Sequence, residues 1–173
     1  FIESKSSKTN AKRDWYIWAD PKPDGSEPNN WESIFNGSTW EFDESTKQYY
    51  FHLFSKKQPD LNWENPDVRQ AVFEMMNWWF EKGIDGFRVD AITHIKKNFE
   101  AGDLPVPDGK KFAPAFDVDM NQPGIQEWLQ EMKDKSLSRY DIMTVGEANG
   151  VTPNDAEEWV GEENGKFNMI FQL

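Results

Sequence analysis

The chain has 173 residues and carries 31 Asp and Glu against 19 Lys and Arg, a net charge of −12; this length suffices for one domain with its own core. The acidic balance excludes a nucleic-acid binder, which needs a basic surface, and disfavours an anionic membrane partner. The absence of cysteine excludes disulfides and thiol chemistry, and with only two His residues no zinc site is expected.

The first part of the chain predicts a small β-rich domain. Turn-forming Pro, Gly, Asn and Ser residues are scattered through it. Two stretches that alternate apolar and polar residues, 39–42 and 48–54, flank a polar loop and predict a β-hairpin. We therefore divide the chain into an excursion domain over 1–62, mostly irregular apart from this hairpin, and a second domain over 63–173.

A regular pattern begins at Asn65, which is a favourable helix N-cap and is followed by Pro66, a favourable first helical residue. Apolar residues then recur at helical spacing as far as Phe80, and Gly83 predicts the end of this helix. The remaining predicted elements are a strand over 84–90, a long loop over 92–122, a helix over 123–138, a strand over 141–147, a short helix over 154–160 and a strand over 167–171.

Helices and strands that alternate in this way predict an α/β fold with a parallel sheet. Three strands alone leave open whether the sheet is a doubly wound open sheet or part of a closed barrel. No Gly-rich phosphate loop follows the first two strands, which disfavours nucleotide binding. Because the sequence begins at Phe1 and ends in an apolar run, we expect it to be an internal piece of a longer protein.

Two predicted strands end in a carboxylate, Asp90 and Glu147. Side chains at the carboxyl ends of barrel strands point into the active-site face, and two facing carboxylates are what glycoside hydrolysis requires. Arg88 lies two residues before Asp90, on the same face of the strand, where its guanidinium would hold Asp90 ionised. The alternative is a pair of solvated or salt-bridged acids at strand ends.

Three motifs resemble signature regions of the α-amylase superfamily. Gly86–His94 resembles the second region, Val145–Asn149 the third and Gln58–Trp63 the fifth. Residues 13–18 and 28–31 are typical of the oligo-1,6-glucosidase and α-glucosidase branch of that superfamily. The resemblance implies a partial TIM (β/α)8 barrel with about three central β/α units, preceded by a small β-rich excursion domain.

The same resemblance implies roles for individual residues. Asp90 matches the catalytic nucleophile, Glu147 the general acid/base and Arg88 the arginine beneath the nucleophile. Phe54 and Gln58 match positions of the excursion domain that line the glucose pocket. All five are therefore predicted site residues.

Three further residues are weaker candidates for substrate binding. Phe35 is a possible pocket residue, with a core role as the alternative. His94 matches a sugar-contacting position of amylases, but the lysine that precedes it there is Thr93 here, so a structural role is the alternative. Ala91 follows the nucleophile, where Val is typical of relatives that cut α-1,6 bonds and Ala or Thr of relatives that prefer α-1,4 bonds; it favours α-1,4 cleavage.

The resemblance as a whole implies a retaining α-glucosidase that removes terminal glucose from short α-glucoside oligosaccharides. The alternatives are an oligo-1,6-glucosidase, a transglucosylating or isomerising relative such as sucrose isomerase, and a catalytically dead binding subunit on the same fold. The presence of Asp90 and Glu147 argues against the last of these. A bacterial, cytoplasmic location is implied as well.

No cofactor is required by this chemistry, and no nucleic acid, membrane or obligate protein partner is expected. The Asp-rich segment 117–121 does not fit the calcium-loop template, so no metal ligand is predicted; a structural calcium of the kind found in relatives would lie outside this chain. The first and fourth signature regions are expected before Phe1 and after Leu173. We therefore expect the isolated chain to be inactive.

Overall fold

The computed structural model describes all residues from Phe1 to Leu173 and contains two compact units. The first unit comprises Phe1–Val68 and Phe99–Phe116, and the second comprises Arg69–Asn98 and Asp117–Leu173. The domain boundary after residue 62 is a division in sequence order and stays a prediction. None of the helices combines the length and the apolar character that crossing a membrane requires.

The helices are α1 Ile2–Ser6, α2 Pro66–Glu81, α3 Phe116–Asp119, α4 Ile125–Lys135 and α5 Ala156–Val160. The strands are β1 Trp18–Ala19, β2 Trp40–Asp43, β3 Gln48–Phe51, β4 Gly86–Val89, β5 Met143–Glu147 and β6 Met169–Phe171. Single 3-10 turns lie at Arg13–Trp15, Ile92–His94, Phe99–Ala101 and Leu137–Arg139.

The first unit contains an antiparallel sheet in the order β1-β3-β2. Strands β2 and β3 form the predicted hairpin, with Trp40 opposite Phe51 and Asp43 opposite Gln48, so that prediction is confirmed. The elements α1 and β1 were not predicted from the sequence. Both are short, and β1 is defined by its pairing with β3, a long-range contact that leaves no local periodicity.

The core of the first unit is built around Trp31, which is fully buried. Its ring stacks on Phe99 with centroids 5.2 Å apart and planes within 5°. Its indole N–H donates a 2.8 Å hydrogen bond to the carbonyl of Gly102, and Trp31 also forms a β-bridge with Ala113. The segment from residue 99 to 116, predicted as loop, thus supplies part of this core.

The carboxylate of Asp43 closes the hairpin from a buried position, with its side chain only 1% exposed. It accepts hydrogen bonds from the hydroxyl groups of Thr46 at 2.6 Å and Ser45 at 2.7 Å, and it pairs with Lys5 at 3.1 Å. Burial by itself raises the pKa of Asp43, but the bonds from Thr46, Ser45 and Lys5 outweigh burial and hold that pKa well below its usual value of 3.8.

Replacing Asp43 with Asn is expected to lower the free energy of unfolding by about 3 kcal/mol at pH 7, because buried donors lose a charged acceptor. The pKa of Asp43 is lower in the folded than in the unfolded chain. The contribution of Asp43 to the free energy of unfolding is therefore fully present above its pKa in the unfolded chain, about 4. It is lost as the pH falls through its pKa in the folded chain. Urea unfolding at pH 7 and pH 3 measures both effects.

The matched control for this variant is Asp24→Asn. Asp24 accepts the same kind of turn hydrogen bonds, from the Ser26 hydroxyl at 2.6 Å and the Ser26 backbone N–H at 3.0 Å, but it is exposed. We expect a much smaller loss of stability from it than from Asp43→Asn. Equal losses from the two variants would contradict the role of burial.

The second unit begins with most of α2, whose predicted start and end are confirmed. The Asn65 side chain accepts a 2.9 Å hydrogen bond from the backbone N–H of Asp67, as a helix N-cap does. Glu81 ends the helix, and Gly83 follows with a φ of 90°.

Helix α4 is shorter than predicted, because Ser136 leaves the helical conformation. The buried residues of α4 are those predicted for its apolar face, Ile125, Trp128, Leu129 and Met132.

Strands β4, β5 and β6 form a sheet in that order, and both pairings are parallel. The predicted parallel sheet is therefore confirmed. In its register Arg88 lies opposite Val145, and Glu147 lies opposite Phe171. The three strands form an open sheet, since closing a barrel of this kind takes about eight strands. The carboxyl ends of all three strands lie along one edge.

Candidate active site

One face of the parallel sheet carries the charged residues of the site. Alternate residues of a strand share a face, so Arg88 of β4 and Asp90 just beyond it lie on the same side. Glu147 ends β5, and Phe171, its register partner, ends β6. Because the strands are parallel, the four side chains converge at the carboxyl edge of the sheet.

A single guanidinium connects the two predicted catalytic carboxylates. Nη1 of Arg88 lies 2.5 Å from Oδ1 of Asp90, and Nη2 lies 2.7 Å from Oε2 of Glu147. Both are charge-assisted contacts, which are the stronger and more directional kind. The contact with Asp90 was predicted from the sequence, whereas the contact with Glu147 was not. Arg88 therefore fixes the two acids relative to each other.

The two carboxyl groups occupy different environments. The Glu147 side chain is 10% exposed, whereas that of Asp90 is 71% exposed. A recessed carboxyl beside an accessible one is the arrangement that separates a proton donor from a nucleophile in glycosidases. The catalytic roles of Asp90 and Glu147 stay predictions, and this difference in environment supports them.

Two neighbours of the site were not predicted as site residues. The ring of Phe171 lies under the guanidinium of Arg88, 5.3 Å from its central carbon, within the range of cation–π attraction. The amide of Asn149 donates a 3.4 Å hydrogen bond to Oε1 of Glu147. Strand alternation would have placed Phe171 on the correct face, but its contact with Arg88 depends on the register between strands.

The backbone turns sharply directly after the predicted nucleophile. Ala91 has φ 46° and ψ 35°, in the left-handed region that residues with a side chain seldom adopt, and its carbonyl accepts the N–H of His94 at 3.0 Å. Such strain costs about 1–2 kcal/mol and is concentrated at functional sites. The energetic cost of this left-handed conformation is lowest for small side chains and higher for β-branched ones.

The His94 side chain is buried beside Asp119. Its Nδ1 lies 3.1 Å from the backbone carbonyl oxygen of Asp119 and 3.3 Å from Oδ1 of the same residue. The neighbouring Thr93 carbonyl accepts the backbone N–H of Asn121 at 2.7 Å. These contacts fasten the turn after the nucleophile, and they support the structural alternative for His94; its predicted contact with sugar stays a prediction.

The other predicted pocket residues belong to the first unit. The rings of Phe35 and Phe54 meet edge to face with centroids 5.8 Å apart. Phe35 is 62% exposed in this chain, which does not favour the core alternative for this residue. Gln58 is exposed in the loop that follows Phe54, and its backbone N–H donates to Ser55. Roles for these residues in a glucose pocket stay predictions.

A groove of about 330 Å³ adjoins the pair of phenylalanine rings. Its lining residues are Phe35, Asn36, Gly37, Ser38, Trp40, Glu41, His52, Phe54, Ser55 and Lys56. The hydroxyl of Ser33 donates to the carbonyl of Phe54 at 2.6 Å and thereby holds the two phenylalanine loops together. No group of three or more His, Cys, Asp or Glu side chains in the chain could hold a metal ion.

Residues 1–173 match the family model described as "Alpha amylase, catalytic domain". The whole chain is 62% identical to "Probable oligo-1,6-glucosidase 3" of Bacillus subtilis and 55% identical to the oligo-1,6-glucosidase of Parageobacillus thermoglucosidasius. It spans 31% of the length of each of these two relatives.

Two solved structures share this architecture. The trehalose-6-phosphate hydrolase of Bacillus licheniformis has a TM-score of 0.89 at 45% identity, and the isomaltulose synthase of Protaminobacter rubrum has a TM-score of 0.88 at 40% identity. Each likeness covers 99% of this chain and 30% of the other. Together with the family match, they confirm the predicted fold class, a partial (β/α)8 barrel.

Proposed function

Because this chain belongs to the family of α-amylase catalytic domains, we propose that it is the central part of a retaining α-glucosidase. The observation that carries the proposal is the bridge from Arg88 to both carboxylates, Asp90 at 2.5 Å and Glu147 at 2.7 Å. Glycoside hydrolysis with retention needs two carboxyl groups on opposite sides of one bond, close together and in different protonation states.

In the first step, a carboxylate oxygen of Asp90 attacks the anomeric carbon of the terminal glucose. Glu147 gives its proton to the departing glycosidic oxygen, the bond to the leaving group breaks, and a glucosyl ester of Asp90 remains. In the second step, Glu147 takes a proton from water, the water oxygen attacks the anomeric carbon, and the carboxylate of Asp90 leaves. The anomeric configuration is inverted twice and therefore retained.

Arg88 constrains where the proton of Glu147 resides. A guanidinium only donates, so Oε2 of Glu147, which faces Arg88, acts as an acceptor. The transferable proton therefore belongs on Oε1, the oxygen that faces away from Arg88. The same guanidinium orients Asp90 for attack through its contact with Oδ1.

Two observations bear on the bond that is cleaved. The small side chain of Ala91 favours α-1,4-linked substrates such as maltose. The names of the relatives with 62% and 55% identity favour a second candidate, an oligo-1,6-glucosidase. Comparing kcat/KM for maltose and isomaltose in the whole protein that contains this chain distinguishes the two, and faster cleavage of isomaltose would contradict the argument from Ala91.

Replacing Ala91 with Val is expected to shift the ratio of isomaltose to maltose cleavage toward isomaltose by about 10-fold, the effect of a methyl-scale change in a pocket. Ala91→Thr is the matched control. It is also β-branched and imposes the same backbone strain at φ 46°, but Thr accompanies α-1,4 preference in this branch. An equal shift in both variants would assign the effect to strain and contradict a linkage-specific contact.

A second candidate function is glucosyl transfer, which retaining chemistry permits whenever a sugar hydroxyl replaces water in the second step. It is favoured by the likeness to the isomaltulose synthase and to a trehalulose synthase, at 40% and 39% identity. Product analysis with sucrose as substrate tests it. Formation of isomeric disaccharides would support transfer, and release of glucose and fructose alone would support hydrolysis.

A further inference from the structure

Asn149, the last residue of the third motif, connects the proposed acid/base Glu147 to Leu173, just beyond the end of strand β6. Its Nδ2 donates to Oε1 of Glu147 at 3.4 Å, and its Oδ1 accepts the backbone N–H of Leu173 at 2.8 Å. One amide thus contacts the backbone just beyond the end of β6 and the carboxyl group at the end of β5. Asn149 is the only side chain that forms a hydrogen bond with Oε1 of Glu147, since Arg88 bonds to Oε2.

The orientation of this amide follows from its partners. A backbone N–H can only donate, so the Asn149 atom that faces Leu173 has to be the oxygen. The nitrogen therefore faces Glu147, where its N–H groups meet a carboxyl oxygen. The reverse orientation would set two donors against each other at Leu173 and two acceptors against each other at Glu147.

The position of Asn149 is set by the parallel ladder. The pairing of β5 with β6 ends at Glu147 opposite Phe171, and the backbone N–H of Ala148 still donates to the Phe171 carbonyl at 2.9 Å. Beyond that point, the side chain of Asn149 replaces the backbone as the partner of Leu173. This replacement continues the ladder by one bond and turns the amide nitrogen back toward Glu147.

We propose that Asn149 is a positioning residue for Glu147, and that it orients Oε1 so that the proton carried there points at the departing glycosidic oxygen. Arg88 contacts Oε2 and Asn149 contacts Oε1, so two donors restrict rotation of the carboxyl group about its terminal bond. An oxygen that accepts from Asn149 retains its own O–H for donation outward. This inference rests on the proposed glucosidase function.

Two charged side chains of this chain lie beside Glu147. Arg88 of β4 contacts it at 2.7 Å, and Asp90 lies on the other side of the same guanidinium. Strand β6 contributes the uncharged Phe171, and β5 itself contributes the apolar Met143 and Val145 on the same face. A carboxylate introduced at position 149 would therefore lie directly beside Glu147 and would be a third acidic group next to the single guanidinium of Arg88.

The decisive variant is Asn149→Asp in the whole protein that contains this chain. Asp keeps the shape and still accepts from Leu173, but it replaces the donor facing Glu147 by a second carboxylate. Because a like charge favours the protonated form of Glu147, the alkaline limb of the kcat/KM profile is expected to move up by roughly half a pH unit or more. Asn154→Asp, an exposed residue of the same loop, is the charge-matched control and should leave the limb in place.

A second variant, Asn149→Ala, separates positioning from general disruption. It is expected to lower kcat/KM for the disaccharide that the wild type cleaves by roughly 10-fold, a part of the contribution of a general acid. For 4-nitrophenyl α-glucoside, whose leaving group needs little protonation, the loss should stay below about 3-fold. Equal losses on both substrates, or an unmoved alkaline limb in Asn149→Asp at an unchanged Tm, would overturn the inference.

The activity of the wild-type protein distinguishes a failure of the proposed glucosidase function from a failure of the proposed role of Asn149. If it hydrolyses neither maltose, isomaltose nor 4-nitrophenyl α-glucoside, the proposed function fails before any variant is compared. If it hydrolyses them and the variants behave as wild type, the proposed function stands and the role of Asn149 is wrong.

Discussion

Replacing Asp90 with Asn in the whole protein that contains this chain is expected to reduce kcat on an α-glucoside by a factor on the order of 10⁴ or more, as removal of a covalent nucleophile does in other enzymes. The amide has nearly the same shape but carries no negative charge, so it does not form the glucosyl ester. Arg88 keeps its contact with Glu147 in this variant, and the fold is expected to be unchanged. Initial rates with 4-nitrophenyl α-glucoside, combined with a thermal unfolding curve, measure both.

The control for this variant is Asp85→Asn. Asp85 is exposed just before the other end of the same strand, and its backbone carbonyl accepts a 2.9 Å hydrogen bond from the N–H of Met143. We expect it to retain the wild-type kcat within about 2-fold, as distant surface changes generally do. A near wild-type kcat for Asp90→Asn would overturn the assignment of the nucleophile.

Replacing Gly86 with Ala is expected to be the most damaging single-methyl change to the fold. The added Cβ would lie 1.7 Å from the carbonyl oxygen of Met143, its register partner on β5. Neither atom belongs to a flexible side chain, so β4 and β5 would have to separate. We expect a loss of more than about 3 kcal/mol in unfolding free energy, above the usual range for overpacking.

Gly83→Ala isolates the part of this effect that comes from backbone conformation. Gly83 has a φ of 90°, but a Cβ there would meet no atom within 4 Å. Alanine at that position is expected to cost only the left-handed penalty of about 1–2 kcal/mol. Chemical denaturation of both variants tests the comparison, and a Gly86→Ala protein as stable as Gly83→Ala would contradict the close approach of the two strands.

Local signals explain the parts of the fold that the sequence predicted. The hairpin at β2 and β3 follows from alternation on either side of a polar loop, and α2 follows from Asn65 and Pro66 at its start. The elements that were missed depend on distant contacts. Helix α1 is fastened by Ser4, whose hydroxyl donates to the Arg13 carbonyl and accepts from the indole of Trp18. Neither partner is adjacent to Ser4 in sequence.

The same distinction applies to the candidate site. Asp90 and Glu147 were predicted because each stands at the end of a predicted strand, and Arg88 because it lies two residues before Asp90 on the same face. Phe171 was missed because its contact with Arg88 joins β6 to β4. Asn149 was missed because the hydrogen bond that orients its amide comes from Leu173, beyond the end of β6. The sequence likewise left His94 between two roles, since its burial beside Asp119 depends on how residues 25 positions apart meet.

The division of the chain into two units that each use two separate segments has a consequence for synthesis. The indole N–H of Trp31 donates a hydrogen bond to the carbonyl of Gly102, 71 residues later. The first unit is therefore completed only when the segment from Phe99 to Phe116 has left the ribosome. By then β4 and Asp90 have already emerged. A nascent chain stopped anywhere before that segment leaves the Trp31 indole without its stacking partner, and no single cut in the chain releases either unit intact.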